Sequence, residues 1–186
     1  QPAIKPESTR LDIAPLGGIV KLSKEYNALV YLDDAHATGV LGKNGRGTAE
    51  YFGVEGMIDA TMGTFTKAFG GVGGFVAGDN NLVNYLRISA RTYIFSAPIP
   101  PAIAAGLIEA ITITKRDKKR RVSLWENVKY LRDGINALGF NSLDSQTQII
   151  PILIGKEEKA IELSRKLLLN NIFVPCVRWP AVPKGE

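Results

Sequence analysis

The chain has 186 residues, of which 45% are hydrophobic and 22% are charged, and its formal net charge is +5. This composition excludes a mainly disordered chain and is typical of a globular protein with one core or two small ones. No apolar run approaches the roughly 20 residues of a membrane-spanning helix, and the first residues lack the basic-then-apolar pattern of a secretory signal. The single cysteine, Cys176, favours a reducing cytoplasm.

The first half of the chain predicts an α/β domain. Apolar spacing and short apolar runs predict, in chain order, a helix at residues 15–26, a buried parallel strand at 28–32, a short helix at 48–52, and strands at 60–65 and 74–77. Further elements follow: a helix at 81–91, a strand-like segment at 93–96, and a helix at 100–114 that begins with two prolines.

The last third of the chain predicts a second β-α-β pattern. An amphipathic helix at 123–138 ends at Gly139, and it is followed by a strand at 149–154, a helix at 157–170 and a strand at 172–177. We therefore expect a domain boundary near residues 115–122. The boundary falls on a basic run, 115–121, which we interpret as a solvated linker rather than a nucleic-acid-binding segment, because it lacks interleaved aromatic residues.

A lysine in a glycine-rich turn is the most informative local feature. Lys67 follows Thr64 and precedes a run of four glycines within residues 70–74, between two predicted strands. Such a lysine alone is usually a solvated loop residue, but Asp33 closes the strand at 28–32 and His36, the only histidine, follows three residues later. Ligands of open α/β sheets bind beyond the carboxyl ends of the strands. The combination therefore predicts an enzyme that uses pyridoxal 5'-phosphate (PLP).

Several motifs resemble one family in the same order along the chain. Residues 33–42, 44–47, 64–71, 90–96 and 177–185 are similar to motifs of the α-oxoamine synthases, fold-type I PLP enzymes that join an amino acid to an acyl thioester. The resemblance begins near Asp12. It implies an α/β, aminotransferase-like fold in which residues 1–118 are part of the large PLP-binding domain and residues 119–186 are part of the small C-terminal α/β domain. We expect the chain to be a fragment of a longer protein.

The resemblance also implies roles for particular residues. Lys67 corresponds to the Schiff-base lysine, Asp33 to the acid that pairs with the pyridine nitrogen, and His36 to the imidazole that contacts the phenolic oxygen. Thr64 corresponds to a phosphate-binding hydroxyl, and Ser96 to a residue that reaches the phosphate in the neighbouring subunit. Roles for Ser8 and Arg178 stay open, and we assign no metal ligands.

Asp34 follows Asp33 directly and has a different predicted role. Because successive side chains of an extended segment point in opposite directions, Asp34 is expected to face away from Asp33. We therefore interpret it as a hydrogen-bond acceptor that organises the following loop.

The activity that the resemblance implies is the condensation of a small amino acid with an acyl-CoA, usually with decarboxylation. We favour glycine as the amino acid, a cytoplasmic homodimer with shared active sites, and no nucleic-acid partner or membrane span. A serine-using condensation and a catalytically silent partner subunit are the alternatives. The family's glycine-rich phosphate loop and its substrate-binding arginine are expected outside residues 1–186.

Overall fold

A computed structural model of the chain describes residues 13–182. Contacts between Cα atoms divide these residues into two compact units, one formed by Ala14–Val122 and the other by residues from Ser123 onward. The boundary that we place after residue 118 stays a prediction.

The secondary structure follows the predicted order through most of the chain. The first unit contains α1 (Leu16–Glu25), β1 (Tyr31–Asp33), α2 (Thr48–Phe52), β2 (Ala60–Thr64), β3 (Gly74–Gly78), α3 (Asn80–Ser89), α4 (Arg91–Ile94) and α5 (Pro101–Arg116). Two further helices follow, α6 (Lys119–Ala137) and α7 (Glu157–Leu169). As predicted, Gly139 follows α6 in a left-handed conformation, with a φ of 80°.

The three strands form one sheet in the order β1-β2-β3. β1 pairs parallel with β2, with Asp33 opposite Met62, and β2 pairs antiparallel with β3, with Gly63 opposite Phe75. The parallel pairing places the carboxyl ends of β1 and β2 at the same edge of the sheet. The loop after Asp33 and the turn that contains Lys67 therefore leave the sheet at this common edge.

The core of the first unit lies between α1 and one face of the sheet. Leu16 and Val20, which are one helical turn apart on α1, pack with Val30 and Leu32, and all four are at most 9% exposed. The opposite face of β1 is open, since Tyr31 is 62% exposed. The prediction of a strand buried on both faces is therefore wrong for this chain: the run alternates between a buried and an exposed side.

The predicted strand at residues 93–96 is also wrong. Residues Arg91–Ile94 form the short helix α4, and the N–H groups of Tyr93 and Ile94 donate to Ala90 O at 2.9 and 3.0 Å. Aromatic and β-branched residues favour strands only where a neighbouring strand is available to pair with them. Here the backbone groups are satisfied within a helical turn instead.

The second unit is helical with extended segments, and neither predicted strand forms within its described residues. In the segment 149–154, Leu153 N donates to Asn141 O at 3.2 Å, and in the segment 172–177, Val174 O accepts from Ser164 Oγ at 2.6 Å. Both segments line an apolar cavity of about 360 Å³. Their apolar runs therefore reflect side-chain packing without backbone pairing.

The basic run at residues 115–121 is not solvated throughout. Arg121 is only 8% exposed, and its Nη1 donates to Thr114 O at 2.7 Å, whereas its neighbour Arg120 is exposed. The linker interpretation is therefore wrong for Arg121, which is a packed residue of the first unit.

None of the helices among residues 13–182 combines the length and the apolar character needed to cross a bilayer. The same residues contain no group of three His, Cys, Asp or Glu side chains arranged to hold a metal ion.

The α1–sheet core gives a testable prediction about stability. Leu16→Ala should lower the free energy of unfolding by about 2–5 kcal/mol, because Leu16 is 2% exposed and its removal leaves a cavity. Leu22→Ala on the same helix is the matched control, since Leu22 is 55% exposed and should cost at most about 0.5 kcal/mol. Urea denaturation of both variants measures the difference; equal losses would place the core elsewhere.

Candidate active site

A cleft of about 1020 Å³ opens at the edge of the sheet where β1 and β2 end. Four of the five predicted site residues line it: Asp33 from the end of β1, His36 from the following loop, Thr64 from the end of β2, and Lys67 from the β2–β3 turn. The opposite wall is formed by β3 and by one face of α3. Chain topology thus brings together residues that are up to 34 positions apart in the sequence, from Asp33 to Lys67.

Asp33 and Asp34 face different surroundings, as predicted. Asp33 is exposed in the cleft, and its Oδ1 accepts a hydrogen bond from Ala35 N at 3.0 Å. Asp34 is 2% exposed; its Oδ1 accepts from Thr48 N at 3.1 Å and its Oδ2 accepts from Thr38 Oγ1 at 3.1 Å. The predicted role of Asp34 as an acceptor that organises the loop is confirmed.

His36 is electrostatically coupled to both Asp33 and Lys67. Burial lowers the pKa of His36, the positive charge of Lys67 lowers it further, and the negative charge of Asp33 opposes both effects. The imidazole is therefore neutral near pH 7. Since the charges on Lys67 and Asp33 both act on one imidazole, the three groups lie within electrostatic reach of one another.

The turn that carries Lys67 is closed by backbone hydrogen bonds. Phe65 N donates to Gly73 O at 3.0 Å, and Gly71 N donates to Phe65 O at 2.8 Å. Gly70 and Gly73 adopt φ values of 62° and 99°, which residues with a Cβ rarely adopt. The glycines thus shape a tight turn that leaves Lys67 exposed at the cleft.

Two further glycines let neighbouring elements pack closely against this turn. A Cβ at Gly71 would lie 2.5 Å from Leu107 Cδ2 of α5, and a Cβ at Gly63 would lie 2.6 Å from Phe75 Cε1 of β3. Real side chains do not approach this closely. The absence of a Cβ at these two positions therefore allows Leu107 of α5 to pack against Gly71 of the turn and the Phe75 ring to pack against Gly63 of β2.

The Thr64 hydroxyl lies in a small polar cluster at the edge of the cleft. Its Oγ1 is 2.9 Å from Thr66 Oγ1, accepts from Thr66 N at 3.2 Å and donates to Gly73 O at 3.1 Å. Because a hydroxyl can rotate to a new acceptor, Thr64 can donate to an anionic group in the cleft.

The remaining candidates lie elsewhere. Ser96 is exposed, lies two residues after the end of α4 and does not line the cleft of its own chain, so its role in a neighbouring subunit stays a prediction. Arg178 Nη1 is 3.7 Å from Glu157 Oε1 in an exposed ion pair of the second unit. Ser8 lies outside the described residues.

Sequence reasoning missed Glu50, the third residue of α2. Its carboxylate accepts hydrogen bonds from Asn44 N at 3.0 Å, from Asn44 Nδ2 at 2.7 Å and from Arg46 N at 3.0 Å. Burial alone would raise the pKa of Glu50, but these hydrogen bonds and the charge of Arg46 hold it below its ordinary value. The signal was present in the sequence, because a glutamate at the third helical position commonly reaches back to N–H groups before the helix.

The donor set of the cleft fits PLP. Lys67 offers an amine for an aldehyde, Asp33 a carboxylate for a protonated ring nitrogen, His36 a neutral imidazole, and Thr64 a hydroxyl for a phosphate. All four side chains line the same cleft of about 1020 Å³, so one ligand that carries the matching functional groups can contact all of them.

Comparison with known proteins gives a consistent family. The family model for class I and II aminotransferases matches residues 6–185. The 8-amino-7-oxononanoate synthase of Alkaliphilus oremlandii is 48% identical over 174 residues, which are 94% of this chain and 44% of that protein. The chain thus spans less than half the length of this relative.

Solved structures show the same similarity. A serine palmitoyltransferase with PLP bound as an internal aldimine is 36% identical and matches with a TM-score of 0.89, over 94% of this chain and 44% of that one. The 8-amino-7-oxononanoate synthase of Francisella tularensis is 29% identical with a TM-score of 0.73, over 87% of this chain and 49% of that one.

The coupling of the three cleft residues gives a prediction for the cofactor-free chain. Lys67→Ala should raise the pKa of His36, because it removes a positive charge that disfavours the imidazolium, and Asp33→Asn should lower it. An NMR titration of the only histidine measures both shifts without assignment ambiguity. Lys24→Ala, a charge change that does not reach this imidazole, is the control. Shifts of the same sign in the two cleft variants would contradict the geometry.

Proposed function

The chain belongs to the class I and II aminotransferase family, and we propose that it carries the catalytic centre of a PLP-dependent acyltransferase of the α-oxoamine synthase type. The observation that carries the proposal is the cleft in which Lys67, Asp33, His36 and Thr64 meet.

The predicted fold and family are confirmed. The match of the family model over residues 6–185 and the TM-score of 0.89 with serine palmitoyltransferase establish the fold-type I aminotransferase-like fold and the resemblance to α-oxoamine synthases. The predicted cofactor agrees with the PLP in that solved structure. Each of the matched proteins is about twice as long as this chain, so the activity proposed here is that of the whole protein.

Lys67 has two roles in the proposed reaction. Its Nζ would hold the cofactor covalently through the aldehyde carbon, and the same amine, once free, would take the proton from the substrate α-carbon. When bound, PLP supplies an electron sink for the pair left by that proton. The exposed position of Lys67 at the end of a tight turn lets the amine stay near the reacting carbon in both states.

Asp33 and His36 tune the site from the β1 side. The Asp33 carboxylate would keep a proton on the ring nitrogen, because the attraction between opposite charges favours the protonated form. His36, whose lowered pKa favours the neutral form, would donate a hydrogen bond to the phenolic oxygen without placing a second positive charge beside Lys67. Thr64 would donate its hydroxyl to the phosphate.

We further propose a cytoplasmic homodimer with shared sites. Ser96 is exposed and lies away from its own cleft, which is compatible with a contact to the phosphate in the site of a second copy. A full site therefore needs the partner's Ser96 as well as the chain's own lysine.

The substrates are proposed to be a small amino acid and an acyl-CoA. The sequence favours glycine as the amino acid in a decarboxylating condensation of the kind catalysed by glycine C-acetyltransferase or 8-amino-7-oxononanoate synthase, with serine palmitoyltransferase chemistry as the alternative. The name of the Alkaliphilus relative describes a nine-carbon carboxylate with a ketone at C7 and an amine at C8. If C8 and C9 come from a decarboxylated amino acid, that amino acid is alanine, which therefore competes with glycine.

The first prediction concerns the cofactor link. The full-length protein with PLP should show a visible absorption band that borohydride fixes onto Lys67, and Lys67→Ala should abolish both the band and the label because it removes the amine. Lys43→Ala, a lysine outside the cleft, is the matched control. A visible band that persists in Lys67→Ala, or a borohydride label at another lysine, would remove the proposed function. A normal band without turnover would identify a catalytically silent partner subunit.

The second prediction concerns substrate choice. Free-thiol release from acyl-CoAs of graded chain length, each tested with glycine, alanine and serine, should be fastest with glycine or alanine and slower with serine. Discrimination by one methyl group is expected to be about 10–200-fold, as for other apolar pockets. Preference for serine with a long acyl chain would instead support the serine palmitoyltransferase alternative.

A further inference from the structure

The loop between β1 and α2 is tied to α2 by two carboxylates. Asp34 begins the loop and accepts from Thr48 N, the first residue of α2, at 3.1 Å. Glu50, in the same helix, reaches back and accepts from Asn44 N and Arg46 N, both at 3.0 Å. We name this pair of reciprocal contacts the carboxylate clamp. It holds the loop at both of its ends, next to Asp33 and next to α2.

The middle of the loop contacts the lysine turn. Gly39 N donates to Gly45 O at 2.8 Å, which joins the two limbs of the loop. Gly39 has a φ of 87°, and a Cβ there would lie 2.7 Å from Ala68 Cβ. Ala68 is the residue after Lys67. A continuous set of contacts therefore runs from Glu50 through the loop to the backbone that carries the amine.

The loop is also packed from its outer side. Gly45 is buried, and its missing Cβ leaves room for Arg121, whose Cδ would lie 3.1 Å from that Cβ. Arg121 packs against Gly45 and Ala68 packs against Gly39. A shift of the loop therefore requires one of these neighbours to move.

We propose that Glu50, acting through the carboxylate clamp, is a positioning residue that fixes the Lys67 turn and the His36 side of the cleft relative to each other. The effect of Glu50 on catalysis rests on the proposed function, whereas the coupling between Glu50 and the position of the Lys67 turn does not. Glu50 itself does not line the cleft.

Ionisation suits Glu50 to this role. Its carboxylate accepts three hydrogen bonds from Asn44 and Arg46, and these hold its pKa below the ordinary value, so that the group is charged near pH 7. An amide side chain of the same shape would place N–H groups against some of these donors. Glu50→Gln therefore removes the charge and one of the two acceptor oxygens, and so weakens the Glu50 half of the clamp, with almost no change in volume.

Hydrogen exchange of the cofactor-free, full-length protein tests the coupling. Glu50→Gln should accelerate amide exchange in residues 39–47 and, as the distinctive result, in residues 66–70, each by about tenfold or more. The matched control is Glu55→Gln, which removes an exposed ion pair to the same Arg46 (3.3 Å) but no contact to the loop backbone. The control should leave both segments within about twofold of the parent. Unchanged exchange in residues 66–70 would overturn the proposal, whether or not residues 39–47 respond.

The cofactor-loaded protein tests the consequence for catalysis. Glu50→Gln should shift the maximum of the visible band and lower kcat about tenfold or more with a smaller effect on KM for the amino acid, because the amine is displaced while the substrate pocket is retained. Glu55→Gln should do neither. If the parent protein shows no visible band, the proposed function fails, and the exchange result still decides the coupling.

A milder variant covers the case in which Glu50→Gln does not fold. Asn44→Ala removes only the Nδ2 hydrogen bond of 2.7 Å and keeps both backbone contacts to the carboxylate. Asn44→Ala should also accelerate amide exchange in residues 66–70, by about twofold or more. A folded Asn44→Ala protein with unchanged exchange in that segment would show that Glu50 stabilises the fold without positioning Lys67.

Discussion

The parallel pairing of β1 with β2 is the constraint on which the site depends. The register that sets Asp33 opposite Met62 places the acid beside the last residues of β2, and the chain then needs only a short turn to present Lys67. The antiparallel return of β3 closes that turn by pairing Thr64 with Gly74. A shift of one residue in the first pairing would exchange the faces of Asp33 and Asp34, so the carboxylate that lines the cleft and the one that organises the loop would change places.

Much of this arrangement could be predicted from the sequence, because it depends on local signals. The glycines around Lys67 predict the turn. The alternation of side chains in an extended segment predicts that Asp33 and Asp34 face different surroundings. The errors arose where an outcome depends on distant partners. Residues 93–96 and 149–154 have strand-like composition, but no strand lies beside them in residues 13–182, so their backbone groups bond to a helical turn or to loops. Leu29 is apolar but exposed, also because a distant partner is required. An apolar residue in the sequence indicates a preference for burial, but burial also needs a neighbouring surface that covers the side chain.

The site also shows how one loop can serve two purposes. Its first residues present His36 to the cleft, directly after Asp33 at the end of β1, whereas its later residues do not line the cleft. Glu50, in the helix that follows, binds these later residues, and the motifs around Lys67 do not point to it. The residues that hold a site in place leave a weaker signal than those that line it, and here that signal was a glutamate at the third position of a five-residue helix.

The contact between Gly63 and Phe75 has a consequence for how this sheet can evolve. The two residues are direct cross-strand neighbours, and the aromatic ring occupies the volume that any side chain at position 63 would need. Position 63 therefore cannot change first: the ring at position 75 must become smaller before the glycine can be enlarged, because the reverse order brings the new Cβ into the ring. Among descendants of this sequence, the two sites are expected to change as a correlated pair and in a fixed historical order.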